Sequence, residues 1–396
     1  MKKFFGLIIV LIISILLVGC SPRYNVKSYT YYSHFNTTST VQIKYNVNQI
    51  STNKINSCFK GVDSILLKLD KIFNIQNTTR TQKTELMKVN EASGINPVVV
   101  SSEVIEVLKK AIEISELSKV EDKKLYDPTI GVIWKEWDFV NKGYSPISPA
   151  YYNPVTNERI SALLPLVNID NVVIDEDAST VFLKEKGMVL DLGSVVKGYA
   201  CDKIKSYLVE EGIRKAVINV GGNILLLGDA QTYGSRVTKW EVQIRTPYYQ
   251  TLASDFGFLG RLLLDESTVV TSGTYEKYIM DENKNMYHHI LDPRTGYPVN
   301  NGITSVTVIT DNSLEADALS TTLLIMGLEK GLEYVNSISG VEAVFVQKTE
   351  SGSKVYISNG LENKNIFNFN KELEKINYSY EGVLWKFWKL KIYMQT

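Results

Sequence analysis

Hydrophobic side chains recur with two different periods along the chain, and the period predicts which segments form helices and which form strands. Residues 38–47 alternate between apolar and polar positions, which is typical of a half-buried strand. Residues 53–73 and 103–120 repeat apolar side chains every three or four positions, which predicts two amphipathic helices, the second with Ser102 as its N-cap. The polar segment 78–89 is predicted to be a loop.

In the middle of the chain, a carboxylate precedes a predicted helix. Within 189–228 an apolar run meets Asp191, and a helical pattern then continues to Gly212, a typical left-handed cap. Gly221 and Gly222 form a predicted tight turn between two strands. Helix N-termini and glycine turns both present backbone N–H groups to anions, although a glycine pair between strands can also be only a turn.

Strands and helices intermix in the rest of the sequence. Asn312 and Glu315 have the spacing of a capping box, which opens a helix that ends at Gly327, and a second helix follows at 328–338. Residues 141–165 resemble a long surface insertion. Because no regular alternation of strand and helix occurs, we predict an α+β fold, a single large domain with mixed or antiparallel sheets and packed helices. The other strands are predicted at 172–183 (a hairpin), 216–220, 224–227, 240–245, 262–265, 303–310, 341–347 and 354–357.

The N-terminus has the features of a bacterial lipoprotein signal. A basic pair precedes an apolar stretch at 4–18, which is shorter than the roughly 20 residues of a spanning helix. The stretch ends in LVGC, which resembles a lipobox and predicts lipidation of Cys20 on the outer side of a bacterial membrane. An uncleaved anchor or an ordinary signal is the alternative. We therefore divide the chain into a signal (1–19), a tether (20–33), a catalytic domain (34–370) and a basic, aromatic tail (371–396).

Composition excludes several classes of protein. Lys and Arg together number 43, as do Asp and Glu, and no basic block is present, so nucleic acid is not an expected partner. There are three cysteines, too few for a disulfide framework once Cys20 is lipidated. Cys58 and Cys201 are then either buried free thiols or a pair.

One candidate site lies on the helix that contains Asp317. Asp317 and Thr321 are four residues apart and share a helix face. A carboxylate and a hydroxyl are hard oxygen ligands, which suit Mg²⁺. The alternative is a structural aspartate at the start of a helix.

Two more candidate sites follow from residue type. His288 and His289 stand beside DPRTG, a turn signal, and an imidazole there could act as a general base, or could simply form a hydrogen bond in the core. Residues 271–275 place small hydroxyl side chains around a glycine, which suits phosphate contact, while Tyr275 could stack on an aromatic ring.

Taken together, these motifs resemble one known family. In chain order they read DPTIG, DLGSVVKGYA, NVGGNI, TSGTYEKY, HHILDPRTGYP and ADALSTTLLIMG. This combination is similar to the ApbE-type flavin transferases, FAD:protein FMN transferases of which many are lipoproteins. The similarity covers about residues 35–357.

The resemblance implies roles for individual residues. His289 matches the histidine implicated in catalysis. Asp138 stands where members of the family have glycine, and residues 35–37 match the N-terminal FAD motif poorly. The implied ligands of Mg²⁺ are Ser194, Asp317, Ser320 and Thr321, and the implied FAD contacts are Trp137, Asp138, Phe139, Asp191, Lys197 and Leu291. Residue type adds Gly222, Ser272 and Tyr275 as further candidate contacts with FAD.

The implied reaction is Mg²⁺-dependent transfer of FMN from FAD to a threonine or serine hydroxyl, with release of AMP. The implied acceptor is a subunit of a membrane redox complex on the side of the membrane that carries the lipid. Two alternatives use the same residues: a pyrophosphatase that splits FAD into FMN and AMP, and a lipoprotein that only binds flavin. Residues 381–396 interleave lysines with aromatic side chains, which suits either a membrane interface or a final element packed on the domain.

Overall fold

The computed structural model describes residues 24–76, 82–230, 239–363 and 366–384. The helices are α1 (Thr52–Phe73), α2 (Glu85–Glu91), α3 (Ser102–Leu117), α4 (Gly131–Trp137), α5 (Asn157–Leu163), α6 (Val196–Glu210), α7 (Ser313–Met326), α8 (Leu328–Ser337) and α9 (Asn359–Asn363). The longer strands are β1 (Tyr24–His34), β2 (Thr37–Asn46), β8 (Ala216–Val220), β9 (Asn223–Leu227), β10 (Trp240–Arg245), β11 (Phe258–Leu264), β12 (Ser267–Gly273), β15 (Ile303–Thr310), β16 (Glu342–Thr349), β17 (Gly352–Ile357) and β19 (Tyr378–Gly382). The shorter ones are β3 (Val98–Val99), β4 (Lys119–Val120), β5 (Lys123–Lys124), β6 (Val172–Asp175), β7 (Thr180–Leu183), β13 (Tyr278–Met280), β14 (Met286–His288) and β18 (Phe367–Phe369).

A nine-stranded sheet forms the centre of the molecule. Its order is β1-β2-β8-β9-β12-β15-β16-β17-β19, and every pair is antiparallel except β17 with β19. In β15 all eight residues are buried, because this strand is covered on both faces. The predicted α+β class is therefore confirmed, with a mixed sheet dominated by antiparallel pairs.

Helices cover one face of this sheet and a small sheet covers part of the other. The amphipathic faces of α1, α3 and α6 share one apolar core with β2, β8 and β9. On the opposite face, Val242 and Ile244 of β10 pack with Val269 of β12 in a separate core. That second layer is a three-stranded sheet of order β10-β11-β18.

Several predicted boundaries are confirmed and others are wrong. The turn at Gly221 and Gly222 has positive φ at both residues, +58° and +98°, which glycine adopts at little cost. The segment 78–89 was predicted as a loop, yet α2 begins at Glu85, where the Thr84 hydroxyl accepts a hydrogen bond from the Met87 N–H. Helix α3 begins one residue earlier than predicted, after Ser101, and ends at Leu117.

Both ends of the predicted domain need correction. The predicted tether, 20–33, is strand β1 from Tyr24 onward and pairs with β2. The predicted tail, 371–396, begins with a 3₁₀ turn, Lys371–Ile376, and β19, which pairs with β17 in the central sheet. The catalytic domain therefore includes these segments, while Cys20 and residues 385–396 lie outside the described residues. Within the described part of the chain, no helix is long and apolar enough to cross a membrane.

Candidate functional site

A cleft of about 760 Å³ collects most of the predicted site residues. Its walls come from the β8–β9 turn, the start of α6, the middle of α7, the end of β12 and the loop after β14. The predicted site residues that line it are Asp191, Ser194, Lys197, Gly222, Ser272, Tyr275, His289, Leu291, Asp317 and Thr321.

A buried carboxylate and an ammonium group meet where α6 and α7 cross. Asp317 is 4% exposed, and each of its carboxylate oxygens lies 3.2 Å from Lys197 Nζ. Its Oδ2 also accepts a hydrogen bond from the Gly198 N–H at 3.0 Å. Burial raises the pKa of Asp317, and the Lys197 charge opposes that shift. A buried, ionised carboxylate is stabilised only beside a cation, so the helix crossing favours a positively charged group next to Asp317.

Glycine at position 198 permits this crossing. A Cβ at Gly198 would lie 2.0 Å from the carbonyl oxygen of Ser313, the first residue of α7. Asp202, one turn further along α6, accepts hydrogen bonds from the N–H groups of Ser313 and Leu314 at 3.1 and 2.9 Å. The carboxylate of α6 thus caps α7 and fixes the position of Asp317.

Several hydroxyl groups line the same cleft as Asp317. Ser194 Oγ lies 3.0 Å from the Tyr126 hydroxyl, and Thr321 Oγ1 lies 3.1 Å from Ser272 Oγ. Ser320, by contrast, is fully buried outside the cleft, where its hydroxyl donates to the Asp317 carbonyl oxygen at 2.9 Å. The structure thus places Ser320 apart from the cleft wall on which the other predicted metal ligands lie. Its hydroxyl instead supports Ser272, 2.8 Å away.

The oxygen donors suit a hard cation held by few protein groups. Among the described residues, no three His, Cys, Asp or Glu side chains cluster as a metal site. Asp317 supplies one carboxylate, and Ser194 and Thr321 supply hydroxyls on the cleft wall. Mg²⁺ commonly takes one or two carboxylates and completes its coordination with water and substrate phosphates. The donor set therefore fits Mg²⁺ together with a phosphate-bearing substrate.

His289 presents one ring nitrogen for accepting a proton. Its Nδ1 lies 3.0 Å from the Lys277 carbonyl oxygen, which also accepts the His289 backbone N–H. Because a carbonyl only accepts, Nδ1 carries the proton and Nε2 has a free lone pair. Burial and the nearby Lys277 charge lower the pKa of His289 to about 3, so the ring is neutral at neutral pH.

Lys277 is a cleft residue that the sequence analysis did not single out, although it lies in the TSGTYEKY motif. Its ammonium group influences both sides of the cleft: it lowers the pKa of His289, and it opposes the rise that burial causes in the pKa of Asp191. Burial and Lys197 in turn lower the pKa of Lys277 itself. The two lysines place ammonium groups on the cleft wall, where phosphate oxygens of a pyrophosphate can pair with them.

Three predicted FAD contacts do not line the cleft. Trp137 and Phe139 are buried and stack on each other with ring centroids 5.8 Å apart. The Phe139 ring also contacts the His289 ring edge to face, with the two centroids 6.4 Å apart. The stacked pair therefore packs behind the histidine ring. Asp138 ends α4 with φ +56°, the left-handed conformation that explains why glycine suits this position. In this structure residues 137–139 thus lie outside the cleft lining, and Phe139 packs against the His289 ring.

Other cleft residues were missed or undervalued. Residues 35–37, which match the family motif poorly, do line the cleft. Asn223 also lines it and is 3% exposed, and its side-chain amide opposes the rise that burial causes in the pKa of Asp317. His288 is instead a buried strand residue, whose Nε2 lies 2.9 Å from the Val299 carbonyl oxygen. The two cysteines, Cys58 and Cys201, are buried free thiols.

Comparison with known proteins identifies the family. A family model described as the ApbE family matches residues 35–345. The chain belongs to the ApbE family. It is 34% identical over 295 residues to the FAD:protein FMN transferase of Klebsiella pneumoniae (strain 342), which covers 74% of this chain and 85% of the relative. It is 30% identical over 267 residues to the Treponema pallidum protein of the same name, covering 66% of this chain and 70% of the relative.

Solved ApbE structures share the fold. The flavin transferase ApbE of Vibrio cholerae superposes with a TM-score of 0.70 at 24% identity, covering 86% of this chain and 99% of that protein. The apo flavinyl transferase ApbE of Pseudomonas stutzeri gives a TM-score of 0.69 at 25% identity, covering 86% and 96%. The chain is thus an ApbE enzyme of the transferase class and shares the fold of the family.

Proposed function

We propose that this ApbE chain transfers FMN from FAD to a threonine or serine hydroxyl of an acceptor protein and releases AMP. The hydroxyl oxygen bonds to the FMN-side phosphorus, the bond from that phosphorus to the bridging oxygen breaks, and AMP leaves with the bridging oxygen. The hydroxyl proton passes to Nε2 of His289. The names of the relatives support the donor and the product, and the observation that carries the mechanism is the His289 ring held by the Lys277 carbonyl.

The residues of the cleft divide the work of phosphoryl transfer, which depends mostly on positioning and electrostatics. Lys197 and Lys277 favour an anionic pyrophosphate, and Asp317 orients Lys197 through two contacts of 3.2 Å. Asp317, Ser194 and Thr321 are the proposed ligands of Mg²⁺, which when bound would neutralise charge on the phosphate oxygens. His289 is neutral at neutral pH, so the lone pair of its Nε2 is free to accept the proton.

A hydrolase that uses water instead of the hydroxyl would need the same groups. The experiment that separates the alternatives is incubation of the purified enzyme with FAD, Mg²⁺ and recombinant subunits of membrane redox complexes. Transferase activity gives AMP and a flavin-fluorescent subunit in a denaturing gel. AMP without covalent flavin on any subunit indicates the pyrophosphatase, and neither product indicates a flavin-binding protein.

His289→Asn tests the base directly. The asparagine amide preserves a polar contact but cannot take the proton, so transfer should fall by roughly 10²–10⁴-fold while FAD affinity stays near the wild-type value. Single-turnover transfer and FAD fluorescence titration measure the two quantities. A large loss of FAD affinity with turnover preserved at saturation would make His289 a binding residue instead.

We also propose that Cys20 carries a lipid that holds the enzyme on the outer side of a bacterial membrane. Since β1 begins at Tyr24, only four backbone steps separate Cys20 from the sheet, a reach of at most about 14 Å. The first strand would then lie at the bilayer surface, close to membrane-bound acceptors. Wild-type protein should partition into detergent and incorporate labelled fatty acid, whereas Cys20→Ser should do neither. Labelling of the variant would refute the anchor.

A further inference from the structure

The edge strand β10 of the three-stranded sheet has backbone N–H and C=O groups that point away from its neighbour β11. In β11, the Leu263 N–H donates to the Ile366 carbonyl, and the Leu259 carbonyl accepts from the Asn370 N–H. Both partners flank β18, so the backbone groups of residues 259 and 263 point toward that strand. The backbone groups of the alternate residues 260, 262 and 264 therefore point toward β10. Their partners on β10 are Ile244, Val242 and Trp240.

The intervening residues of β10 therefore point their N–H and C=O groups outward. These residues are Glu241 and Gln243, and also Arg245, because the next N–H, that of Thr246, donates back to Gly257. The order of the sheet places β10 at its edge. Within the described ranges no backbone hydrogen bond to these outward groups is found.

This open edge borders the cleft. Four consecutive residues, 242–245, line the cleft, although successive side chains of a strand point to opposite faces. The Val242 and Ile244 side chains are buried in the core, and those of Gln243 and Arg245 are exposed on the other face. The contact of all four with the cleft is therefore made along the backbone edge.

The end of β10 reaches the catalytic side of the cleft. Arg245 donates to the Tyr249 hydroxyl at 3.0 Å, and the neighbouring Tyr248 ring lies 5.5 Å from that of Tyr275. Tyr275 is two residues before Lys277, whose carbonyl holds His289. A chain lying along β10 would thus run toward the general base.

We propose that the acceptor protein docks by adding an extended segment to this edge, with the outward groups of Gln243 and Arg245 as its backbone partners. The proposal rests on the transferase function, which requires a protein segment in the same cleft as FAD. An edge strand recognises an extended chain through main-chain hydrogen bonds, which tolerate varied side chains. The hydroxyl residue of such a segment would be presented toward His289.

Proline substitution tests this edge without disturbing the sheet. Gln243→Pro removes only an outward N–H, and proline is tolerated on edge strands at such positions. Glu241→Pro is the matched control, because its outward N–H lies on the same edge but outside the cleft lining. Gln243→Ala is the second control, since it removes the side chain and keeps the N–H. All three should retain wild-type thermal unfolding and wild-type FAD affinity.

The probe is the redox subunit that the wild-type enzyme labels, with a 15-residue synthetic peptide spanning the labelled hydroxyl. Gln243→Pro should raise the KM for both by roughly tenfold or more, while Gln243→Ala and Glu241→Pro change it less than about twofold. Hydrogen exchange gives an independent readout: the peptide should slow exchange of the Gln243 and Arg245 amides and leave that of Val242 unchanged.

Each other outcome overturns the docking. Unchanged KM in Gln243→Pro, with the wild-type enzyme active, rules out the edge and leaves the transferase function intact. A loss of FAD affinity in Gln243→Pro would mean that FAD, and not the acceptor, contacts this edge. If the Gln243 and Arg245 amides exchange slowly without peptide, and faster after dilution of the protein, a second copy of this chain occupies the edge. If the wild-type enzyme labels no subunit, the transferase function fails as well.

Discussion

At the scale of single residues, adjacent hydroxyls on α7 have opposite roles. Thr321 faces the cleft and Ser320 faces the core, so the two provide a matched pair. Thr321→Val should raise the Mg²⁺ concentration needed for half-maximal turnover, while Ser320→Ala should leave it near the wild-type value and lower stability instead.

Asp317→Ala, which removes the one carboxylate of the proposed ligand set, should abolish Mg²⁺-dependent turnover. Full activity of Asp317→Ala at limiting Mg²⁺ would refute the metal assignment.

The histidine pair predicts how stability depends on pH. Burial lowers the folded-state pKa of both His288 and His289, the latter to about 3, below an unfolded value near 6.5. Between about pH 6.5 and 3 the unfolded chain therefore binds more protons than the folded one, so the free energy of unfolding should fall as pH decreases. His289→Asn should flatten this slope in urea titrations at several pH values. An unchanged slope would show that His289 has the same pKa in the folded and the unfolded chain.

At the scale of elements, the crossing of α6 and α7 is the support on which the site depends. Gly198→Ala should push the two helices apart, because the new Cβ would overlap the Ser313 carbonyl. We expect a loss of about 1–3 kcal/mol in the free energy of unfolding, as for other overpacked contacts, and weaker FAD binding. Ser206→Ala, on the exposed face of the same helix, should change stability by less than about 0.5 kcal/mol. Equal effects in urea denaturation would contradict this role.

The local pattern of apolar residues predicted the long helices and strands. It missed elements that are short or that form only through contacts with distant parts of the chain. The apolar period of α1 is clear because this helix buries one face against the sheet. Helix α7 is instead buried on nearly all sides, and its run of apolar residues together with its capping box predicted it. Helix α2 has only seven residues, too few for a period to show. Strand β1 is rich in tyrosine and polar residues and exposes Tyr29 and Tyr32, so nothing in its sequence marks it as part of the sheet. Its pairing with β2 is a property of the folded hairpin.

The same limit applies to the site. Residue type and helical spacing were enough to bring Asp317 and Thr321 together, and family resemblance located His289. Which face of a segment meets the cleft depends on packing, however, and this is why Trp137 and Phe139 lie beneath the histidine. Asn223 gave no signal beyond the NVGGNI motif, because its burial in the cleft wall is visible only once the turn is folded.

At the scale of the whole molecule, the C-terminal segment belongs to the central sheet. Leu373 and Val383 are buried, and β19 pairs with β17. Truncation after Asn370 would delete these two side chains, so their apolar burial, worth about 1.5–3 kcal/mol each, would be lost together with a strand of the sheet. Because a typical domain is stable by only about 5–15 kcal/mol, this form should melt at a much lower temperature or fail to fold.

A chain that ends at Leu384 provides the control, since it keeps β19 and removes only residues 385–396. It should unfold like the full chain in calorimetry and retain FAD turnover. The same two proteins, started at Ser21 so that no lipid is present, test the membrane prediction for residues 385–396, the part of the basic, aromatic tail that follows β19. Only the chain that ends at Thr396 should sediment with anionic vesicles, and salt should weaken that binding. If removal of 385–396 lowers the melting temperature and neither chain binds vesicles, the tail is part of the fold and the lipid at Cys20 alone would hold the enzyme at the membrane.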